Sequence, residues 1–166
     1  EMPAVVPAQA PRLGALLAQA KAQDTDLVII DTAPHADSIA ADAAVLADAI
    51  LIPCRPSSFD LDAIGASVRL ARNVGKPAFV IINAAPVQGV ETAETIAALT
   101  AAGVELSPVI MHQRKAYASR IHEGLTAFDA EPKGKAAGEI RDLLLWICEK
   151  VIMLPKQQVT KLSKSA

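Results

Sequence analysis

Three short apolar runs set the frame. Leu27–Val28–Ile29–Ile30, Ala49–Ile50–Leu51–Ile52 and Phe79–Val80–Ile81–Ile82 are unbroken by polar residues. Segments of helical period separate them, and each run is too short for a helix of ordinary length. Such a run reads as a strand buried on both faces, the habit of a parallel sheet rather than of an antiparallel one with a wet side. Parallel neighbours need crossover helices, and the intervening segments supply them. Leu13, Leu16, Leu17 and Ala20 form one stripe in a helix from Pro11 to Gln23. Asp37 or Ser38 caps a helix to about Ala47, and Ser57 to Asp60 cap a third, with Leu61, Ile64 and Val68 on one face, stopped at Gly75 and Pro77. A helix from Glu91 to Ala102 ends at Gly103, Val104 to Met111 is a weaker strand broken by Pro108, Arg114 to Glu123 is a helix ended by Gly124, and Lys135 to Met153 is the last long helix. The expected fold is three-layer α/β: a mainly parallel sheet with helices on both faces, joined by right-handed crossovers.

Composition narrows the class. With 166 residues, 52% hydrophobic and 20% charged, the chain suits one globular domain rather than a disordered or fibrous protein. Aromatics are only 3%, so packing depends on small and aliphatic side chains. No apolar run approaches the roughly 20 residues of a bilayer span. Glu1–Met2–Pro3 shows no export signal, and Cys54 and Cys148, far apart and outside any C-x-x-C pattern, read as packing thiols in a reducing compartment. The expected location is therefore the cytoplasm. Charge is uneven: residues 1–110 carry 6 Lys/Arg against 12 Asp/Glu, and residues 111–166 carry 10 against 6. The basic excess lies in the C-terminal third.

In an open α/β sheet, ligands bind beyond the carboxyl ends of the strands. Those ends carry Asp31, Pro53–Cys54–Arg55 and Asn83–Ala84–Ala85–Pro86. An acid directly after a buried strand suits a hydrated Mg²⁺, which prefers oxygen ligands and retains water; a capping or loop-bonding Asp is the plain alternative. Asn83 offers an amide to a purine edge, against the alternative of a turn residue. No Gly-x-x-x-x-Gly-Lys-Ser/Thr occurs, nor any Gly-x-Gly-x-x-Gly, and Ser57–Ser58 lacks the setting of a nucleophile elbow. His35, His112 and His122 have no metal-ligand spacing, and His35 reads as a loop residue.

Asp26–Leu27–Val28–Ile29–Ile30–Asp31–Thr32–Ala33–Pro34, the stretch Ala47–Asp48–Ala49–Ile50–Leu51–Ile52–Pro53 and Ile81–Ile82–Asn83, taken in order, resemble the ParA/MinD family of deviant P-loop ATPases. Gln113–Arg114–Lys115–Ala116–Tyr117, Glu123–Gly124 and Gly134–Lys135–Ala136–Ala137–Gly138–Glu139–Ile140 are most similar to the small plasmid-partition ParA branch. The likeness spans roughly residues 2–150. It implies a P-loop NTPase-like sheet in which Asp31 is the catalytic Walker B acid and, with Thr32, the metal site. It also implies that Thr32 to Asp37 is the switch loop and that Asn83 and Pro108 bind the nucleotide. Implied cofactors are ATP and Mg²⁺. Implied partners are a second copy in an ATP-dependent homodimer, non-specific DNA, and a centromere-binding ParB-like protein that stimulates hydrolysis, at a nucleoid-associated cytoplasmic location. Arg114, Lys115 and Arg120 are the expected DNA contacts, with Lys156, Lys161 and Lys164 in a basic tail.

The family's first strand, phosphate loop and first helix have no counterpart in these 166 residues. The expectation is thus the C-terminal part of one ATPase domain over residues 1–154, followed by a polar basic tail over 155–166, inactive alone and weakly stable through an open sheet edge. Two rivals stand beside it. One is a non-catalytic scaffold of the same fold. The other is a MinD-like membrane-associated ATPase anchored through Leu143–Ile147 and the tail; apolar residues nearly all round that helix suit packing on a sheet better, so no stable membrane association is expected.

Overall fold

The computed structural model describes residues 4–32 and 37–153. In chain order the elements are α1 (Ala10–Ala22), α2 (Asp37–Leu46), β1 (Ile50–Cys54), α3 (Ser58–Val74), β2 (Ala78–Ile82), α4 (Glu91–Ala101), two 3₁₀ turns (Lys115–Tyr117 and Ile121–Glu123), α5 (Ala127–Ala130) and α6 (Lys135–Met153). The protein is mixed α/β with a small parallel sheet. The chain divides into two compact units, one drawn from Glu1–Ile50 and Ala66–Ala78, the other from Leu51–Gly65 and Phe79–Ala166.

In the first unit α1 packs on α2. Pro11 opens α1, where its missing N–H leaves no bond unmade. Leu13, Ala43, Ala44 and Ala71 are its buried apolar residues. The expected strand at Leu27–Ile30 does not form. These residues have no regular structure, and Leu27, Val28 and Ile29 are 45%, 45% and 81% exposed. A strand exists only through a neighbour that takes its N–H and C=O groups, and no described segment pairs with this one. Asp31 and Thr32, which follow, are exposed.

The second unit is built on β2, buried from Phe79 to Ile82, as its unbroken apolar run predicts. β1 lies along one edge, and the pairing ends where Asn83 N–H donates to Cys54 O at 2.8 Å. Alternation along β1 turns Ile50, Ile52 and Cys54 toward β2 in their backbone bonding and leaves Leu51 and Pro53 on the far edge, where a residue without an N–H is tolerated. β1 runs through Pro53 to Cys54.

The weak strand after Val104 is present in two pieces on the other edge of β2. Val80 N–H donates to Glu105 O and Ser107 N–H to Val80 O, both at 2.8 Å, around a parallel bridge between Val80 and Leu106. A second parallel bridge joins Ala85 to His112, with Ala85 N–H on Met111 O at 3.0 Å and Gln113 N–H on Ala85 O at 2.8 Å. Between the bridges the outer strand takes one residue more than β2, a bulge centred on Pro108, whose ring removes a donor, while Ser107 Oγ accepts from Val109 N–H at 3.1 Å.

α6 lies against this sheet. Phe79 and Trp146 meet edge to face, with ring centroids 5.2 Å apart, and Lys150 bridges to Glu105 at 2.9 Å. Ala136 and Ala137 are buried and Trp146 is half-buried, whereas Leu144 and Leu145 are 46% and 62% exposed. The expectation of apolar packing nearly all round α6 is therefore corrected, because a helix with a sheet on one side leaves its other side to solvent. The predicted helix over Arg114 to Glu123 is also corrected. Its place is taken by the two 3₁₀ turns, and Arg114 itself is extended (φ −125°, ψ 137°). The segment leaves a strand, with Gln113 N–H on Ala85 O at 2.8 Å, and Arg114 stays extended while its guanidinium and the Tyr117 hydroxyl both bond Glu139 on α6. Gly124 ends the second turn in the left-handed region, φ 74°, as its glycine predicts. His35, the tail from Pro155 and its Lys156, Lys161 and Lys164 lie outside the described residues.

Candidate functional site

The carboxyl ends of the second unit's strands bring together three kinds of residue. After β1, the Cys54 thiol is buried and donates to Arg55 O at 3.3 Å; burial and the nearby charge of Asp60 both raise its pKa, so it is a packing thiol and not a nucleophile. Arg55 N–H donates to Asp60 Oδ2 at 2.9 Å and Asp60 N–H to Ser57 Oγ at 3.2 Å, which fixes the entry to α3. After β2, Asn83 is exposed, and Ala84 stands at φ 50°, a conformation that costs a side-chain-bearing residue about 1–2 kcal/mol. That turn returns the chain so that Ala85 is fully buried and can pair with His112.

After the third strand comes a polar cluster centred on Glu139, in the second turn of α6. Its Oε1 accepts from His112 Nδ1 at 2.8 Å, Arg114 Nε at 2.9 Å and Arg114 Nη2 at 2.6 Å; its Oε2 accepts from His112 N–H at 3.1 Å and Tyr117 Oη at 2.8 Å. The buried alanines on this face of α6 permit the approach, and the strand end delivers the His112 amide. Burial acts to raise the pKa of Glu139, but the bonds from Arg114, Tyr117 and His112 outweigh it and hold the carboxyl at about 2. Burial and the bond to Glu139 push the Tyr117 phenol well above its ordinary value. Tyr117 also reaches Ala136 O at 3.3 Å. The cluster is thus a fixed, ionised strut.

This geometry sorts the expected DNA contacts. Arg114 is committed to Glu139, with its side chain 21% exposed. Arg120 is paired with Glu123, which also has His122 Nε2 at 3.6 Å. Lys115 is exposed and makes no ion pair among the described residues. Of the expected nucleotide residues, Asn83 and Pro108 are both exposed in the second unit, and Asp31 and Thr32 belong to the first. No group of three or more His, Cys, Asp or Glu side chains is placed to hold a metal ion among the described residues. Asp31 and Thr32 offer adjacent oxygens suited to a hydrated Mg²⁺, but the 166 residues include no glycine-rich lysine loop to fit a triphosphate. Among the described residues, no helix is long and apolar enough to cross a membrane.

Sequence reasoning missed Glu139 as a hub. Glu139 lies 27 residues from His112, with no local pattern to join them. No protein-family model matches this sequence, and no curated protein matches it.

Proposed function

We propose that this chain is the larger part of a ParA-type partition ATPase domain, a P-loop NTPase-like three-layer fold that binds Mg-ATP, dimerises and holds DNA non-specifically so that plasmid or chromosomal cargo is segregated. The observation that carries the reading is the ordered succession of its motifs, from Asp26–Pro34 through Ile81–Asn83 to the segment ending at Ile140. The parallel pairing of β1, β2 and the strand after Val104 supports it, as does the position of Asn83, exposed at the carboxyl end of a fully buried strand where a ligand of this fold class sits. In this reading Asp31 and Thr32 hold Mg²⁺, Asn83 and Pro108 face the nucleotide, and the basic C-terminal third meets DNA. ParB-like stimulation and nucleoid association belong to the same proposal.

Phosphoryl transfer needs charge held around three phosphate oxygens, which Asp31 alone does not supply, so the chain by itself hydrolyses no ATP. Calorimetry with Mg-ATP tests this, with Asp31→Ala and Asn83→Ala as controls. No heat is expected from the isolated chain; binding that both substitutions abolish would show a complete site and overturn the claim of inactivity. A non-catalytic scaffold of the same fold is the second reading. DNA retention indifferent to ATP, in a protein to which a phosphate loop has been restored, would select it over the first.

A further inference from the structure

His112 is held at two points. Its backbone N–H and its Nδ1 both bond Glu139, at 3.1 and 2.8 Å, and its pairing with Ala85 fixes the backbone beneath. An ionised carboxylate only accepts, so Nδ1 carries the hydrogen and Nε2 the lone pair. Among the described residues no hydrogen bond engages Nε2, and the side chain is 29% exposed. The imidazole therefore offers solvent its basic nitrogen, in one tautomer and one orientation, at the carboxyl end of a strand. His122 is the contrast: it is 76% exposed, with Glu123 3.6 Å from Nε2 and no bond to Nδ1 among the described residues.

We propose that His112 Nε2 is a nucleophile that accepts a phosphoryl group from donors of the phosphoramidate class, with Glu139 as its positioning residue. The Nε2 lone pair forms the new N–P bond as the donor's own P–N bond breaks, and the departing amine keeps that electron pair. No proton leaves the ring: Nδ1 retains its hydrogen on Glu139, and the positive charge that the ring acquires develops 2.8 Å from a carboxylate. A carboxylate so placed orients the imidazole and stabilises the cation that forms. The electrostatics suit an anionic electrophile. Arg114 shares the same oxygen of Glu139, so the pair presents no net negative charge to repel a phosphoryl donor, and the exposed Lys115 adds an attractive charge beside it. The inference goes beyond the ATPase reading and needs no nucleotide.

Incubation of the full chain with potassium phosphoramidate tests the proposal, read by phosphorus NMR, with His112→Ala assigning the resonance, and by mass spectrometry of the digested protein. Wild-type His112 is expected to carry phosphoryl on Nε2 and none on Nδ1. It should react about tenfold faster than His122 despite its smaller exposure, the worth of one charge-assisted hydrogen bond that tightens as the ring becomes cationic. In Glu139→Gln the rate at His112 falls toward that of His122 and the Nδ1 isomer appears, while His122 reacts as before. The wild-type isomer and the ratio of the two histidines come from one sample of folded protein, so they decide the proposal whatever the stability of Glu139→Gln. Absence of phosphoryl at His112, phosphoryl on its Nδ1, or a rate no greater than that of His122 overturns the proposal and leaves the ATPase reading untouched. An unchanged isomer and rate in folded Glu139→Gln overturns the positioning role of Glu139.

Discussion

Arg114 spends two of its donors, Nε and Nη2, on a single oxygen of Glu139, at 2.9 and 2.6 Å. A guanidinium more usually spans both oxygens of a carboxylate. Here Oε2 is already taken by Tyr117 and the His112 amide. The carboxylate therefore joins a strand end, an extended residue and a 3₁₀ turn to one helix.

Glu139→Ala leaves Arg114 without its counter-charge and frees Tyr117, so a loss of about 2–4 kcal/mol is expected. The pH dependence has a definite sign. A carboxyl held at about 2 in the folded protein, below the ordinary 4.5, contributes stability that is complete above the ordinary value and disappears as pH falls toward about 2. Urea titrations across acid pH should show the wild type converging on Glu139→Gln; a constant gap between them would exclude the ionised strut.

Tyr117 is the only tyrosine, so its ionisation is read directly in the tyrosinate absorbance. With its pKa raised in the folded state, the band should appear only well above pH 10, and stability should fall once pH passes about 10, where the unfolded chain begins to ionise. Tyr117→Phe is expected to cost about 1–2 kcal/mol. A normal titration in the folded protein would contradict the bond to Glu139.

Ala84 occupies the left-handed region at φ 50°. Ala84→Gly relieves about 1–2 kcal/mol of strain and adds about 0.5–1 kcal/mol of unfolded-state entropy, for a net gain of a few tenths to about 1 kcal/mol. Thermal melts of Ala84→Gly and Ala84→Val should move in opposite directions.

Trp146, the only tryptophan, touches Phe79 edge to face. Phe79→Ala is expected to cost about 3–5 kcal/mol and to redden the emission of Trp146 as its neighbour is replaced by water. Unchanged emission would argue against the docking of α6 on β2.

Ile29 is 81% exposed in an extended apolar run. Such a segment is an invitation to intermolecular pairing, and a charge within it is the usual remedy. Ile29→Lys should reduce light scattering at high concentration while leaving the urea midpoint within about 0.5 kcal/mol of the wild type.

Periodicity located α1, α3, α4 and α6 and the buried β2 because those elements record their environment locally, in a stripe or an unbroken run, with Pro11, Gly75 and Gly103 at their ends. It failed at Leu27–Ile30, where the run is strand-like but the deciding factor is a partner for its backbone, which a local pattern does not contain. It failed at Arg114–Glu123 for the same reason in reverse: helix-compatible residues follow a strand whose pairing partner, Ala85, is distant in sequence. Asp31, Thr32, Asn83 and Pro108 were legible as residues that follow or interrupt strands. Glu139 was not, because its significance comes entirely from what it meets.

The segment from His112 to Glu123 has only short 3₁₀ turns of its own, and its side chains His112, Arg114 and Tyr117 all bond Glu139, so much of its shape is borrowed from α6. It can take that shape only after the helix has docked, which places it late in folding and among the first parts to loosen on heating. The placement of Lys115 is consequently a property of an assembled unit rather than of a peptide: excised, residues 112–123 would carry the same charges with no fixed arrangement.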